Sequence, residues 1–277
     1  MFPEPGLFVY TCSGSRKVSN QILMKKYPLQ HTVAFFSIAF ILGCSPTPKL
    51  KSVTTATIEF NPQNAAVDST AYKLIAPYRM EMEKTMNEVL VISDTALLKE
   101  LPEGSLGNFV SDAVLIKTND RYFPEDKKPA DICLLNNGGL RSQLPKGKIT
   151  RGNVYELMPF ENSIVVLTLS GEKIKSLFEY LAAVNGAPFA GATMKVKNKK
   201  ITELTIGGQP FNISRTYKVV TSDYLSAGGD KYDFFKDPVK VETINYLVRD
   251  AIIDRMTDEN KKGHTINGRK DGRIKFE

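Results

Sequence analysis

The sequence predicts an α+β fold in which mixed sheets are flanked by helices. Helix-like and strand-like segments follow one another without strict βαβ alternation, which disfavours a doubly wound sheet. The segment ADICLLN (130–136) is apolar almost throughout, as is typical of a strand buried on both faces. The segments at 192–197 and 201–206 are joined by the short link NKK, which indicates a hairpin. With 277 residues, 42% of them hydrophobic, the chain can bury a sizeable core.

Apolar residues at helical spacing predict five helices. The first is capped by Asp68 or Ser69, and Pro77 either kinks it or marks its real start. The second is capped by Ser105. The helices are expected at 67–90, 105–118, 151–158, 171–184 and 244–256. Three of them show an apolar face. These faces consist of Leu74, Tyr78, Met82 and Met86 in the first helix, of Leu106, Phe109, Val110, Ala113 and Val114 in the second, and of Ile174, Leu177, Phe178 and Leu181 in the fourth.

Strand-like runs separate and follow these helices. They are expected at 88–93, 130–136, 163–170, 192–197, 201–206, 216–225, 239–243 and 272–277.

The N-terminal residues are typical of an export signal. From Met24, two lysines precede an apolar run that ends at Gly43 and Cys44. A basic start, a short apolar run and a small residue at the cut describe a secretory signal, and the run is too short for a transmembrane helix. Cysteine after ILG resembles the bacterial lipobox, so we expect lipid on Cys44 as a membrane anchor. Residues 1–43 are therefore interpreted as a leader with a signal peptide, 44–66 as a tether and 67–277 as the folded domain of a cell-envelope lipoprotein that faces the periplasm.

Composition argues against several classes of function. The net charge is +7, and outside residues 1–43 there are 33 basic and 29 acidic residues with no basic stripe. This balance does not indicate a nucleic acid polymer as partner. His31 and His264 are the only histidines, so a metal centre built on several imidazoles is not available, and no cofactor site is expected in this chain. Cys133 lies in an apolar run and is interpreted as a small buried hydrophobe.

Three segments next to the ends of predicted strands draw on glycine, aromatic residues and amides or carboxylates. They are NNGGLR (136–141), PFEN (159–162) and SDYLSAGGDKY (222–232). Glycine lets a backbone approach a ligand closely, an arginine fork suits phosphate or carboxylate, and two aromatic rings could clamp a planar ring. Each segment also has a structural explanation, because Asn-Gly pairs form turns and Phe160 or Tyr224 could belong to the core.

Taken together and in this order, these motifs resemble the C-terminal domain of the 5'-nucleotidase family, over about Val67 to Phe276. The segment GSLGNFVSDAV (104–114) is also similar to a helix of that family. The resemblance implies the fold of that domain and a nucleotide or nucleoside as ligand. It also implies roles for seven residues: Phe160 and Tyr224 would sandwich the base, Asn162 and Asn136 would bond polar edges of base or sugar, Asp230 would hold ribose hydroxyls, Arg141 would pair with phosphate, and Gly186 would bring backbone near the base.

The sequence departs from the family pattern in three respects. The second aromatic residue, often Phe, is Tyr224. Where an arginine is expected before the LGN motif, the chain has Leu101, so the phosphate grip is weaker or Lys99 substitutes as a point charge. The histidine-rich motifs of the dinuclear metallophosphoesterase domain are absent before Val67. We therefore expect a separate phosphoesterase to carry the two metals.

Three functions remain open from the sequence. The first is the substrate-recognition subunit of a split 5'-nucleotidase, in nucleotide hydrolysis and catabolism. The second is a free-standing nucleoside or nucleotide binder for scavenging or sensing. The third is a surface lipoprotein that kept the fold without the ligand. Whether the chain is itself an enzyme is not decided by these residues.

Overall fold

The computed structural model describes residues 68–277. The predicted signal peptide, Cys44 and the tether lie outside these residues. Within them, no helix is long and apolar enough to cross a membrane.

Among the described residues, six helices are interspersed with strands in an α+β arrangement. Asp68 caps the first helix, its carboxylate accepting hydrogen bonds from the backbone N–H groups of Thr70 and Ala71. The predicted cap of the second helix is wrong: the cap is Gly104, and the Ser105 hydroxyl instead accepts a 2.9 Å hydrogen bond from the Leu98 N–H. The helices are α1 (Ser69–Met86), α2 (Ser105–Asn119), α3 (Arg151–Leu157), α4 (Gly171–Ala183), α5 (Asp223–Ser226) and α6 (Val248–Lys261).

The strands form three sheets. The central sheet has five strands in the order β10-β4-β9-β2-β5, a second has the order β11-β6-β7-β8, and β1 pairs with β3. Parallel and antiparallel pairs both occur, since β2 runs parallel to β9 while β4 runs antiparallel to it. The strands are β1 (Val89–Ser93), β2 (Ile132–Leu134), β3 (Gly147–Thr150), β4 (Ser163–Ser170), β5 (Phe189–Ala190), β6 (Ala192–Lys197), β7 (Lys200–Ile206), β8 (Gln209–Pro210), β9 (Thr216–Ser222), β10 (Lys240–Leu247) and β11 (Ile274–Phe276).

The central sheet is buried on both faces. Along β4, Ile164 and Val166 face one core cluster, which includes residues of α2 and α6, while Val165 and Leu167 face the other, which includes residues of α4. Burial on both faces explains why its strands read as nearly continuous apolar runs. Cys133 is fully buried in β2, which confirms its interpretation as a core residue.

The last predicted helix begins too early. Ile244 pairs with Ile164 of β4, and β10 continues to Leu247 before α6 starts at Val248. The register shifts between Ile244 and Leu247, so a bulge lies where the sequence shows an uninterrupted helical pattern. Pairing with β4 overrides the local helical preference. The two-residue β5 and the four-residue β3 were not predicted, because both are too short to show alternation.

The apolar stripe of α1 is not buried by the described residues. Leu74, Tyr78 and Met82 are all exposed, and no residue of α1 is fully buried. The stripe of α4 is buried as predicted, and that of α2 is buried apart from Phe109, which packs at the edge of the core.

The buried Arg273 side chain forms ion pairs that tie the end of the chain to the core. Arg273 is almost completely buried and donates to Asp112 (2.9 Å), Asp271 (2.7 Å) and the Phe189 carbonyl (2.7 Å). The hydrogen bond from Arg273 holds the pKa of Asp271 below its usual range. Because Arg273 serves acceptors from α2, β5 and the C-terminal loop, it joins three parts of the fold.

Replacing Arg273 with methionine should lower the free energy of unfolding by about 2 kcal/mol, because the Phe189 carbonyl and two carboxylates lose their donor. Since the folded-state pKa of Asp271 is lowered, its contribution is present above its unfolded pKa of about 3.9 and is lost as the pH falls through the folded value. The variant should therefore lose less stability than the wild type between about pH 5 and pH 2.

Urea denaturation at several pH values measures both effects. Lys195→Met is the matched control, because Lys195 pairs with Glu203 on the surface, where ion pairs contribute little. An Arg273→Met midpoint equal to that of the control would contradict the assigned role.

Candidate functional site

The ends of four central strands meet at one edge of the sheet. Ile164 at the start of β4 is paired with Ser222 at the end of β9, and Cys133 near the end of β2 is paired with Val220. Leu247, at the end of β10, is paired with Ser163. The three polar segments singled out in the sequence therefore leave the sheet at the same edge, and the first turn of α6 joins them there.

Asn136, Tyr224 and Asp230 form a hydrogen-bonded group at this edge. The Asn136 amide donates to one Asp230 carboxylate oxygen (2.6 Å), and the Tyr224 hydroxyl donates to the other (3.0 Å). These residues come from the loop after β2 and from the segment after β9, which are 94 positions apart in sequence. The carboxylate of Asp230 is exposed and retains further acceptor capacity for hydroxyl groups.

Backbone shape in the two loops depends on glycine. A Cβ atom at Gly229 would lie 2.5 Å from the Tyr224 ring, and one at Gly139 would lie 2.7 Å from the Asn136 amide oxygen. Asp230 itself has a φ of +53°, a conformation that costs free energy in any residue other than glycine. Strained backbone of this kind is common in functional loops. In this loop, the backbone conformation of Asp230 directs its carboxylate towards Asn136 and Tyr224.

The turn before β4 presents Phe160. Phe160 is 41% exposed and Tyr224 is 48% exposed, so both residues retain accessible surface at this edge. The turn is anchored by the Asn162 carbonyl, which accepts a 3.0 Å hydrogen bond from the Val248 N–H at the start of α6. Asn162 itself is half-buried.

Two cations lie at the end of the glycine loop. Arg141 is exposed, and its side chain donates a long hydrogen bond of 3.4 Å to the Gly138 carbonyl. The Lys99 ammonium, from a distant part of the chain, donates to the Leu140 carbonyl at 3.2 Å. Among the described residues neither has a carboxylate within salt-bridge distance, so both charges are available to an anion. The Lys99 ammonium thus contacts the backbone next to Arg141, and its substitution for the missing arginine stays a prediction.

Gly186 lies in the segment between α4 and β5. It is buried with a φ of +96°, and a Cβ atom there would lie 2.3 Å from the Pro102 carbonyl oxygen. Its close backbone approach is therefore to Pro102. Contact between Gly186 and a ligand stays a prediction.

Arg249 was missed by the sequence analysis. It occupies the first turn of α6, only 6% exposed, and its guanidinium carbon lies 4.2 Å from the centre of the Tyr155 ring. One of its nitrogens donates to the Phe160 carbonyl at 3.5 Å. The available signal was helical spacing, since Arg249, Ile253 and Met256 share the face that enters the core.

The described residues contain no cluster of three or more His, Cys, Asp or Glu side chains that could hold a metal ion. Grooves of about 370 and 730 Å³ lie elsewhere on the described surface, and the seven predicted residues line neither. His264 is exposed and lies 3.1 Å from Glu259. The candidate site is an open edge with two rings, a hydroxyl-binding carboxylate and two cations.

A protein-family model and several known proteins match this chain. The family described as "5'-nucleotidase, C-terminal domain" matches residues 84–237. The trifunctional nucleotide phosphoesterase protein YfkN of Bacillus subtilis is 31% identical over a 219-residue alignment that covers 72% of this chain and 14% of that protein. Protein UshA of Escherichia coli is 32% identical over 115 residues, 39% of this chain and 20% of UshA. The chain thus matches only a small part of these relatives' length.

Solved structures show the same fold. The 5'-nucleotidase precursor from Thermus thermophilus superposes with a TM-score of 0.62 at 24% identity, over 78% of this chain and 44% of that one. The NAD nucleotidase of Haemophilus influenzae gives a TM-score of 0.56 at 20% identity, over 76% and 41% of the two chains. At these identities the likeness concerns architecture and not ligands.

Proposed function

Because this chain belongs to the 5'-nucleotidase C-terminal domain family, we propose that it recognises the base, sugar and phosphate of a nucleotide for a separate metal-dependent phosphoesterase. The observation that carries the proposal is that the loops with Phe160, Tyr224, Asp230 and Arg141 leave the central sheet at one edge, where Asn136 and Tyr224 both donate to Asp230. In this proposal the base lies between the rings of Phe160 and Tyr224. The ribose hydroxyls donate to Asp230, and the phosphate lies against Arg141 and Lys99.

The polar groups suit these roles chemically. Asp230 is already oriented by Asn136 and Tyr224, so little side-chain entropy is lost when a ribose hydroxyl donates to it. Asn162 and Asn136 offer amide donors and acceptors to base or sugar edges. Arg141 presents a planar fork, and Lys99 adds a point charge.

The metal chemistry of hydrolysis would come from outside the described residues. A dinuclear centre activates the water that attacks phosphorus and stabilises the leaving oxygen. The trifunctional nucleotide phosphoesterase protein YfkN is several times longer than the region that it shares with this chain, which leaves room in it for such a centre. Lipid on Cys44 would hold this chain at an envelope membrane that faces the periplasm, beside its partner.

Phe160→Ala and Tyr224→Ala should each weaken nucleoside binding about tenfold or more, because stacking contributes about 1–3 kcal/mol per base. Calorimetric titration against adenosine, AMP, uridine and UDP-glucose measures this loss. Phe123→Ala is the matched control, since Phe123 is an exposed phenylalanine that lies before β2, away from this edge. Wild-type affinity in both site variants would refute the aromatic clamp.

Arg141→Ala and Lys99→Ala should weaken AMP binding several-fold and leave adenosine binding nearly unchanged, because only AMP carries a phosphate. The AMP effect should shrink as salt is raised, since the interaction is electrostatic. Arg215→Ala, at an exposed arginine before β9, controls for a general change in charge. Equal losses for AMP and adenosine would contradict the assignment.

The purified chain should not hydrolyse AMP with added divalent metal ions. Hydrolysis should appear when the partner phosphoesterase, recovered by co-purification from the native membrane, is added back. Robust activity of the chain alone that is abolished by a chelator would refute the split arrangement. Nucleotide binding without any co-purifying phosphoesterase would favour a free-standing binder instead.

A further inference from the structure

Arg249 is a charged residue where the fold would accommodate an apolar one. Its side chain is 7% exposed, in the first turn of α6, with Val248 and Ala251 buried beside it. A positive charge at a helix N-terminus is repelled by the helix dipole, and burial of a guanidinium carries a desolvation cost. An apolar side chain of similar volume would meet neither cost.

The contacts of Arg249 do not neutralise this charge. The Nε atom is buried with no acceptor among the described residues, and Nη1 reaches the Phe160 carbonyl only at 3.5 Å. The nearest carboxylate, that of Glu161, lies 3.8 Å from Nη2, and its side chain is 83% exposed. The guanidinium is therefore fixed by stacking on Tyr155 while its donors remain incompletely used.

The two long contacts of the guanidinium, with the Phe160 carbonyl and the Glu161 carboxylate, are both made to one turn. Phe160 and Glu161 are consecutive, and Asn162 is tied to α6 through the Val248 N–H. The bulge in β10 places the start of α6 against this turn. Arg249 can thus act on the position of the Phe160 ring without touching a ligand.

We propose that Arg249 is a positioning residue that holds the Phe160–Asn162 turn in the orientation that binds the base. It acts through the Phe160 carbonyl and the Glu161 carboxylate, and both contacts shorten when a base stacks on Phe160 and orders the turn. This inference rests on the proposed function, because it concerns the same ring.

A double-mutant cycle on AMP affinity tests the inference. Arg249→Met removes the charge and keeps an apolar side chain against Tyr155, and it should weaken AMP binding about tenfold. In a Phe160→Ala background the same substitution should cause less than a twofold further loss, since there is no ring left to position. Arg255→Met is the matched control, because Arg255 lies on α6 but pairs with Glu259 at 2.8 Å, and it should bind AMP as the wild type does.

Glu161→Gln tests the same contact at an exposed position where folding is not at risk. It should weaken AMP binding about threefold, and this loss should also disappear in the Phe160→Ala background. The positioning role would be overturned if Arg249→Met and Glu161→Gln weakened AMP binding as much in the Phe160→Ala background as in the wild type. It would also be overturned if both variants bound AMP with wild-type affinity. Wild-type affinity in Phe160→Ala would instead refute the proposed function itself, so the two failures are distinguishable.

Discussion

The register of β4, β9 and β2 determines which side chains can meet. Both faces of these strands are buried, so a slip of one residue would turn every core side chain to the opposite cluster. The buried Thr221 hydroxyl adds a link between strands, donating to the Leu134 carbonyl at 2.9 Å. With the register fixed in this way, three loops far apart in sequence leave the sheet side by side.

The candidate site combines preorganised and adaptable parts. Asp230 accepts hydrogen bonds from Asn136 and Tyr224, and glycines at 139 and 229 make room for those side chains. The Phe160 turn is held less tightly, by one backbone hydrogen bond and the long contacts of Arg249. A sugar would thus meet a prepared acceptor, whereas a base would complete the order of the turn.

Much of the fold is predictable because its signals are local. Strand β4 and strand β6 were predicted with their correct bounds, since long apolar or alternating runs leave little ambiguity. The start of α6 was not, because the pairing of Ile244 with β4 is a tertiary contact that local periodicity cannot show. The exposure of the α1 stripe was equally hidden, since an apolar face does not say what covers it.

For the candidate site, the sequence identified most of the residues, whereas the contacts between them became known only from the structure. Residue types at strand ends and the family resemblance identified Phe160, Tyr224, Asp230 and Arg141 as candidates, but the hydrogen bonds that join Asn136, Tyr224 and Asp230 required the fold. For Gly186 the structure shows a close backbone approach to Pro102, and its contact with a ligand stays a prediction. Arg249 was not predicted, since a buried arginine with unused donors becomes apparent only when burial and partners are known.

A crystal structure of the chain grown with AMP tests the central claim most directly. The account predicts the adenine ring between Phe160 and Tyr224, ribose hydroxyls on Asp230, and the phosphate beside Arg141 and Lys99. AMP bound in one of the grooves elsewhere on the surface, with no base between the rings of Phe160 and Tyr224, would contradict the account.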